Sequence, residues 1–129
     1  MKFSKTITVP GAPCAKPRMT RRDKWKQRKC VMAYRSWADE ARAQLGRTTK
    51  LMLEKPMRLM VEAHFAIPKS HKKTIPGNYH TVKPDGDNIL KAVCDSLFHN
   101  DQMVVEASIT KFWAGNDGAR VKIHLEEAI

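Results

Sequence analysis

The chain has 129 residues, 42% of them hydrophobic and 29% charged, which suits a single domain over residues 1–129 with one real core and excludes a disordered chain. No apolar run approaches the roughly 20 residues that span a bilayer, and the opening MKFSKTITVPG alternates like a strand instead of carrying the apolar centre of a signal peptide; the expectation is a cytoplasmic protein with no membrane partner. The net charge of +11 points to a polyanionic partner, because phosphate backbones attract Lys and Arg and release condensed counterions on binding.

Taken in order, FSKTITV reads as a strand, with Phe3, Ile7 and Val9 supplying apolar contacts, and Pro10, Gly11 and Pro13 end it. The basic segment follows. Residues 16–29 hold eight Lys or Arg against Asp23 alone, a local charge of 8 − 1 = +7. A charge run is often only a solvated face. Here Trp25 is interleaved with the cations and suits stacking on a base or sugar, while Arg18, Arg21 and Arg22 suit phosphate contacts. An anionic membrane surface fits less well, because the segment has no apolar face to insert.

Val31, Tyr34, Ala38, Ala41 and Leu45 recur at helical spacing, and Gly46 is placed to end that helix. Trp37 beside the stripe reads as a core or dimer contact. After a polar connection over 47–55, Met57, Leu59, Val61, Ala63, Phe65 and Ile67 alternate with their neighbours, the clearest strand in the chain and one that suits the centre of a sheet. Pro68 ends it. The next loop carries Lys69, Lys72, Lys73 and Lys83 with no acid before Asp85, a second basic patch leading into an acidic pair.

Asp85 and Asp87 lie two apart after Pro84, and an apolar pattern of helical spacing follows. Pro84 disfavours a helical Lys83, so a helix beginning at Asp87 is expected, with its carboxylate as the cap. At about 100° per residue, Leu90, Val93, Cys94 and Leu97 share one arc while Asp87, Lys91 and Asp95 share a neighbouring polar arc. Met103 to Trp113 forms another strand. Asp117-Gly118 is a hairpin signal, and Arg120 to Leu125 is expected to pair back as the last strand, with Val121, Ile123 and Leu125 on one face. The order is β-α-β-α-β-β, a small α/β sheet covered by two helices.

Several chemistries fall away. Cys14, Cys30 and Cys94 have no C-x-x-C spacing, so neither a disulfide framework nor a zinc knuckle is supported, and the five histidines form no H-x-x-x-H pair. An EF-hand fails, since the fifth, sixth and twelfth positions from Asp85 are Ile89, Leu90 and Ser96. What remains is carboxylate chemistry. Asp101 lies just before the third strand; if the fold returns it to Asp85 and Asp87, three carboxylates suit a hard divalent cation such as Mg²⁺ that activates water against a phosphodiester. Lys91, one turn from Asp87, either makes an i, i+4 surface pair or steadies charge developing on phosphate. Asp95, another turn on, ligates metal or pairs with Lys91.

The run K-P-D-x-D-N-x-x-K-A-x-x-D-x-L with N-D-Q before a strand resembles the RusA family of Holliday-junction resolvases, and VPGAPCAKPRMTR resembles that family's opening strand and G-x-P-x-x-K-x-R segment. The resemblance implies a RusA-like fold and a homodimeric, Mg²⁺-dependent (or Mn²⁺-dependent) endonuclease that nicks opposed strands of a four-way DNA junction in recombination and repair, in a bacterial host and of phage or prophage origin. It implies Asp85, Asp87 and Asp101 as catalytic metal ligands, Lys91 as the essential lysine, and Lys16 and Arg18 as DNA contacts, beside Arg21, Arg22, Lys69, Lys72 and Lys73 in the basic loops. FHND is shorter than the usual loop and carries Asn100 where the family has the first of two acids, so Asp101 aligns with the second. The other readings are a nuclease for flaps or forks and a non-catalytic DNA-binding protein.

Overall fold

The computed structural model describes residues 3–17, 28–46, 54–71, 73–98, 101–116 and 118–128; for Asp101 it describes the backbone only. The elements are β1 (Ser4–Pro10), α1 (Lys29–Leu45), β2 (Met57–Phe65), α2 (Gly86–Leu97), a 3-10 turn (Asp101–Met103), β3 (Val104–Trp113) and β4 (Arg120–Glu127). This is the expected β-α-β-α-β-β order. No helix among the described residues is long and apolar enough to cross a membrane.

The sheet order is β1-β4-β2-β3, with β2 parallel to β3 and antiparallel to β4, and β1 antiparallel to β4. The hairpin expected between β3 and β4 is therefore not formed: β4 passes the end of β2 and inserts between β1 and β2. Burial explains the choice. Val121, Ile123 and Leu125 are fully buried, which takes a strand flanked on both sides, whereas the residues from Val105 to Ser108 of β3 are exposed and suit an outer position. Asp117, half of the hairpin signal, lies outside the described residues.

Both helices pack on one face. Ile7 and Val9, Met57, Leu59 and Val61, and Val121, Ile123 and Leu125 meet Trp37, Ala38, Ala41 and Leu45 of α1 and Val93 and Leu97 of α2. Each large side chain so buried contributes about 1.5–3 kcal/mol. The other face carries Thr6, Met60, Glu62, Lys122 and His124 around a shallow depression, and no described helix covers it. α1 ends at Gly46, whose φ of 77° favours glycine, and the Lys5 ammonium donates to the Leu45 carbonyl at 3.0 Å.

The free edge of β3 is partly closed by a segment that reads from sequence only as a basic loop. Gly77 N–H donates to the Trp113 carbonyl (2.9 Å), Trp113 N–H to the Asn78 carbonyl (2.8 Å) and His80 N–H to the Lys111 carbonyl (3.0 Å), with Tyr79 bridging to Phe112. His80 then packs flat on Phe65, ring centroids 3.7 Å apart, and 4.4 Å from Trp113. The chain thus reaches Asp85 as a short added strand.

Candidate active site

The end of α2 that carries the acids is built by β3. Asp85 is the N-cap, in extended conformation and without a side-chain capping hydrogen bond, and Asp87 lies in the first turn. The helix thus begins one residue earlier than expected, at Gly86, and the capping position is Asp85 instead of Asp87. Both carboxylates are exposed, at the positive end of the helix dipole, where negative charge is favoured. Gly86 between them sits in close approach to β3: a Cβ there would lie 3.2 Å from Cγ2 of Ile109, so a larger residue requires that side chain to give way. A glycine as the x of D-x-D lets α2 start close against β3.

Lys111 completes this end. Its ammonium donates to the carbonyls of Val82 at 2.8 Å and Pro84 at 2.9 Å, the second belonging to the peptide that enters Asp85. Sequence reasoning missed it, although the signal was present: Ile109, Lys111 and Trp113 share one strand face, and a lysine on an inward, otherwise apolar face needs oxygen partners. His80, buried beneath the same segment, has its pKa lowered by burial and then by the neighbouring Lys111 ammonium.

The apolar arc of α2 is shifted from the expected one. Ile89, Ala92, Val93, Ser96 and Leu97 are buried, while Leu90 and Cys94 are only partly so, because the helix is wedged between β3 and α1 instead of lying on a single surface. Lys91 is exposed and makes no ion pair with Asp87 among the described residues, so the surface-pair reading of Lys91 is not realised. Asp95 makes no ion pair with Lys91 among the described residues; it accepts from Lys16 at 3.2 Å. That contact brings the start of the basic segment onto the stripe of Asp87, Lys91 and Asp95. Lys69 and Lys73 are exposed in the turn region after β2. Arg18, Arg21, Arg22, Trp25 and Lys72 lie outside the described residues.

Asp101 is placed differently. In a β-α-β unit with parallel strands the helix runs back against both, so its start and end sit at opposite ends of the sheet. Gly86 abuts Ile109, whereas Asp101 opens the turn before Val104, which pairs with Met57 at the beginning of β2. From Asp87 to Leu97 α2 alone rises roughly 15 Å. One chain therefore joins Asp85 and Asp87 but leaves the Asp101 backbone at the far end.

Two hard carboxylates at a helix start nevertheless fit Mg²⁺, which keeps several waters and commonly takes only one or two carboxylates together with a substrate phosphate. An exposed acidic pair with exposed lysines such as Lys69, Lys73 and Lys91 in the same α/β domain suits work on phosphodiesters. The family model described as endodeoxyribonuclease RusA matches residues 10–126, and the chain belongs to that family of endodeoxyribonucleases. No curated protein matches the chain at significant similarity.

Proposed function

We propose that the protein is a Mg²⁺-dependent endonuclease that resolves four-way DNA junctions as a homodimer. The observation that carries this reading is the pair Asp85 and Asp87, held exposed at the start of α2, with no side-chain capping bond from Asp85 and no ion pair from either acid among the described residues, in a chain of the RusA family. Asp85 and Asp87 would hold the ion, which when bound polarises the phosphodiester and makes water a competent nucleophile. Lys91, one turn along, lends its ammonium to the charge that builds on the phosphoryl oxygens. The Lys16–Asp95 contact ties the basic segment to the same helix, where it can hold a DNA arm in register with the acids.

Asp101 enters this scheme from a second copy. Its position at the far end of α2 argues against a site completed within one chain, whereas a twofold partner can present it to Asp85 and Asp87. Two such sites across one axis suit the approximate twofold symmetry of a four-way junction. The test is cleavage by purified protein in Mg²⁺ of labelled four-way junctions, flaps, forks and linear duplex. Paired symmetric nicks in the junction, abolished by EDTA, are expected. Preference for flaps or forks would move the substrate to other branched DNA, and tight junction binding with no cleavage in Mg²⁺ or Mn²⁺ would make the protein a DNA-binding module.

A further inference from the structure

We infer that Lys111 is a positioning residue for the acidic pair, an internal clamp that fixes how the chain leaves the added segment beside β3 and enters α2 through Asp85. This inference rests on Asp85 and Asp87 being the hydrolytic site. Lys111 reaches two carbonyls in one three-residue stretch, Val82 at 2.8 Å and Pro84 at 2.9 Å. Lysine can do this because its ammonium carries three donors and no acceptor, and charge-assisted bonds to carbonyls are the stronger kind. The Pro84 carbonyl belongs to the peptide whose nitrogen is that of Asp85, so the clamp acts one bond from the residue it orients.

The backbone hydrogen bonds around it show why a clamp is needed. Pairing of the added segment with β3 ends at His80, whose N–H donates to the Lys111 carbonyl. Regular helical bonding resumes only with Ile89 N–H donating to the Asp85 carbonyl. The stretch 81–84 between them belongs to neither element, and Thr81, Val82 and Lys83 are exposed. Lys111 holds it from its start to its last residue: its backbone carbonyl binds the end of the added strand at His80, and its side chain binds the Val82 and Pro84 carbonyls up to the peptide that enters Asp85. One β3 residue therefore spans the gap. A carboxylate that must meet a metal ion and a phosphate within a fraction of an ångström needs support of this kind.

The test uses the full chain as Lys111→Met, which keeps the length of the stem and removes the ammonium, and Lys111→Arg, which restores the charge and donors. Two measurements are made: single-turnover junction cleavage with junction Kd, and amide hydrogen exchange of the metal-free protein. For Lys111→Met the expected results are a rate lower by about 10- to 100-fold, as for outer partners of metal ligands, an unchanged Kd, and faster exchange confined to the amides between Thr81 and Ile89. Lys111→Arg is expected to recover part of the rate and the protection. Exchange unchanged in that segment, or raised throughout all strands, overturns the clamp, as does an equal loss in Kd and rate, which would make Lys111 a DNA contact. A wild-type protein inert on every DNA with the local exchange change present would instead overturn the nuclease reading and leave the clamp standing.

Discussion

The two ends of α2 are built for different purposes. At its C-terminal half the polar groups are turned inward and satisfied: Ser96 Oγ–H donates to the Ala92 carbonyl at 2.7 Å, Tyr34 lies 3.2 Å from the same hydroxyl, and Arg42 Nε–H donates to the Ser96 carbonyl at 2.8 Å. Since Ser96 spends its only proton on Ala92, Tyr34 is the donor in their contact. At the N-terminal end the carboxylates of Asp85 and Asp87 face solvent, and what is satisfied is the backbone beneath them, by Lys111. One end uses its polar groups to hold the fold; the other holds its backbone so that its polar groups are available.

Substitutions at the two ends are therefore expected to separate rate from stability. The largest effect tests the completion of the site. Asp87→Asn and Asp101→Asn are each expected to be inactive as homodimers, yet mixing the two, with subunit exchange, restores junction cleavage, because one of the two sites in the heterodimer then has wild-type residues throughout. Absence of restoration in a mixture shown to exchange would return Asp101 to its own chain or remove it from the site. Next, Gly86→Ala drives a Cβ toward Ile109 and shifts the start of α2; a rate loss of about tenfold is expected, since a 1 Å misplacement can cost 10²-fold, with urea unfolding changed much less.

At the other end the balance reverses. Arg42→Met removes the donor to the Ser96 carbonyl and is expected to cost about 1–3 kcal/mol in urea unfolding, with the single-turnover rate per folded molecule unchanged. The smallest effect concerns pH. His80 and His64 both have pKa values lowered chiefly by burial, so the folded state prefers their neutral forms. Their contribution is complete above the unfolded value of about 6.5 and is lost as pH falls through and below it. The unfolding midpoint is expected to drop over that range, and His80→Gln to flatten part of the slope.

Much of the fold was legible because its elements carry strong periodic signals. The alternation of Met57 to Phe65 marked a central strand, and the stripe from Val31 to Leu45 with Gly46 after it marked α1 and its end. The place of β4 was not legible in the same way. A hairpin signal acts over a few residues, whereas the burial of Val121, Ile123 and Leu125 is settled by partners more than a hundred positions away in β1. The acidic pair stood out by residue type and spacing, but its cap was misassigned by two residues, because Gly86 tolerates the helical start that packing on Ile109 imposes. Lys16 meeting Asp95 and Lys111 meeting Val82 and Pro84 are contacts between distant segments, which no local pattern encodes. The return of Asp101 to the pair assumed a direction of chain that the parallel β2-α2-β3 crossover reverses.

The most direct measurement is junction cleavage and junction binding by Asp87→Asn beside wild type, at saturating protein in Mg²⁺. The expected result is a rate lower by more than about 100-fold, beyond the loss usual for outer partners of metal ligands, with Kd kept or tightened, since removing a carboxylate near phosphate reduces repulsion. A rate near that of wild type, or a rate and affinity lost in equal measure, would contradict the assignment of hydrolysis to the start of α2.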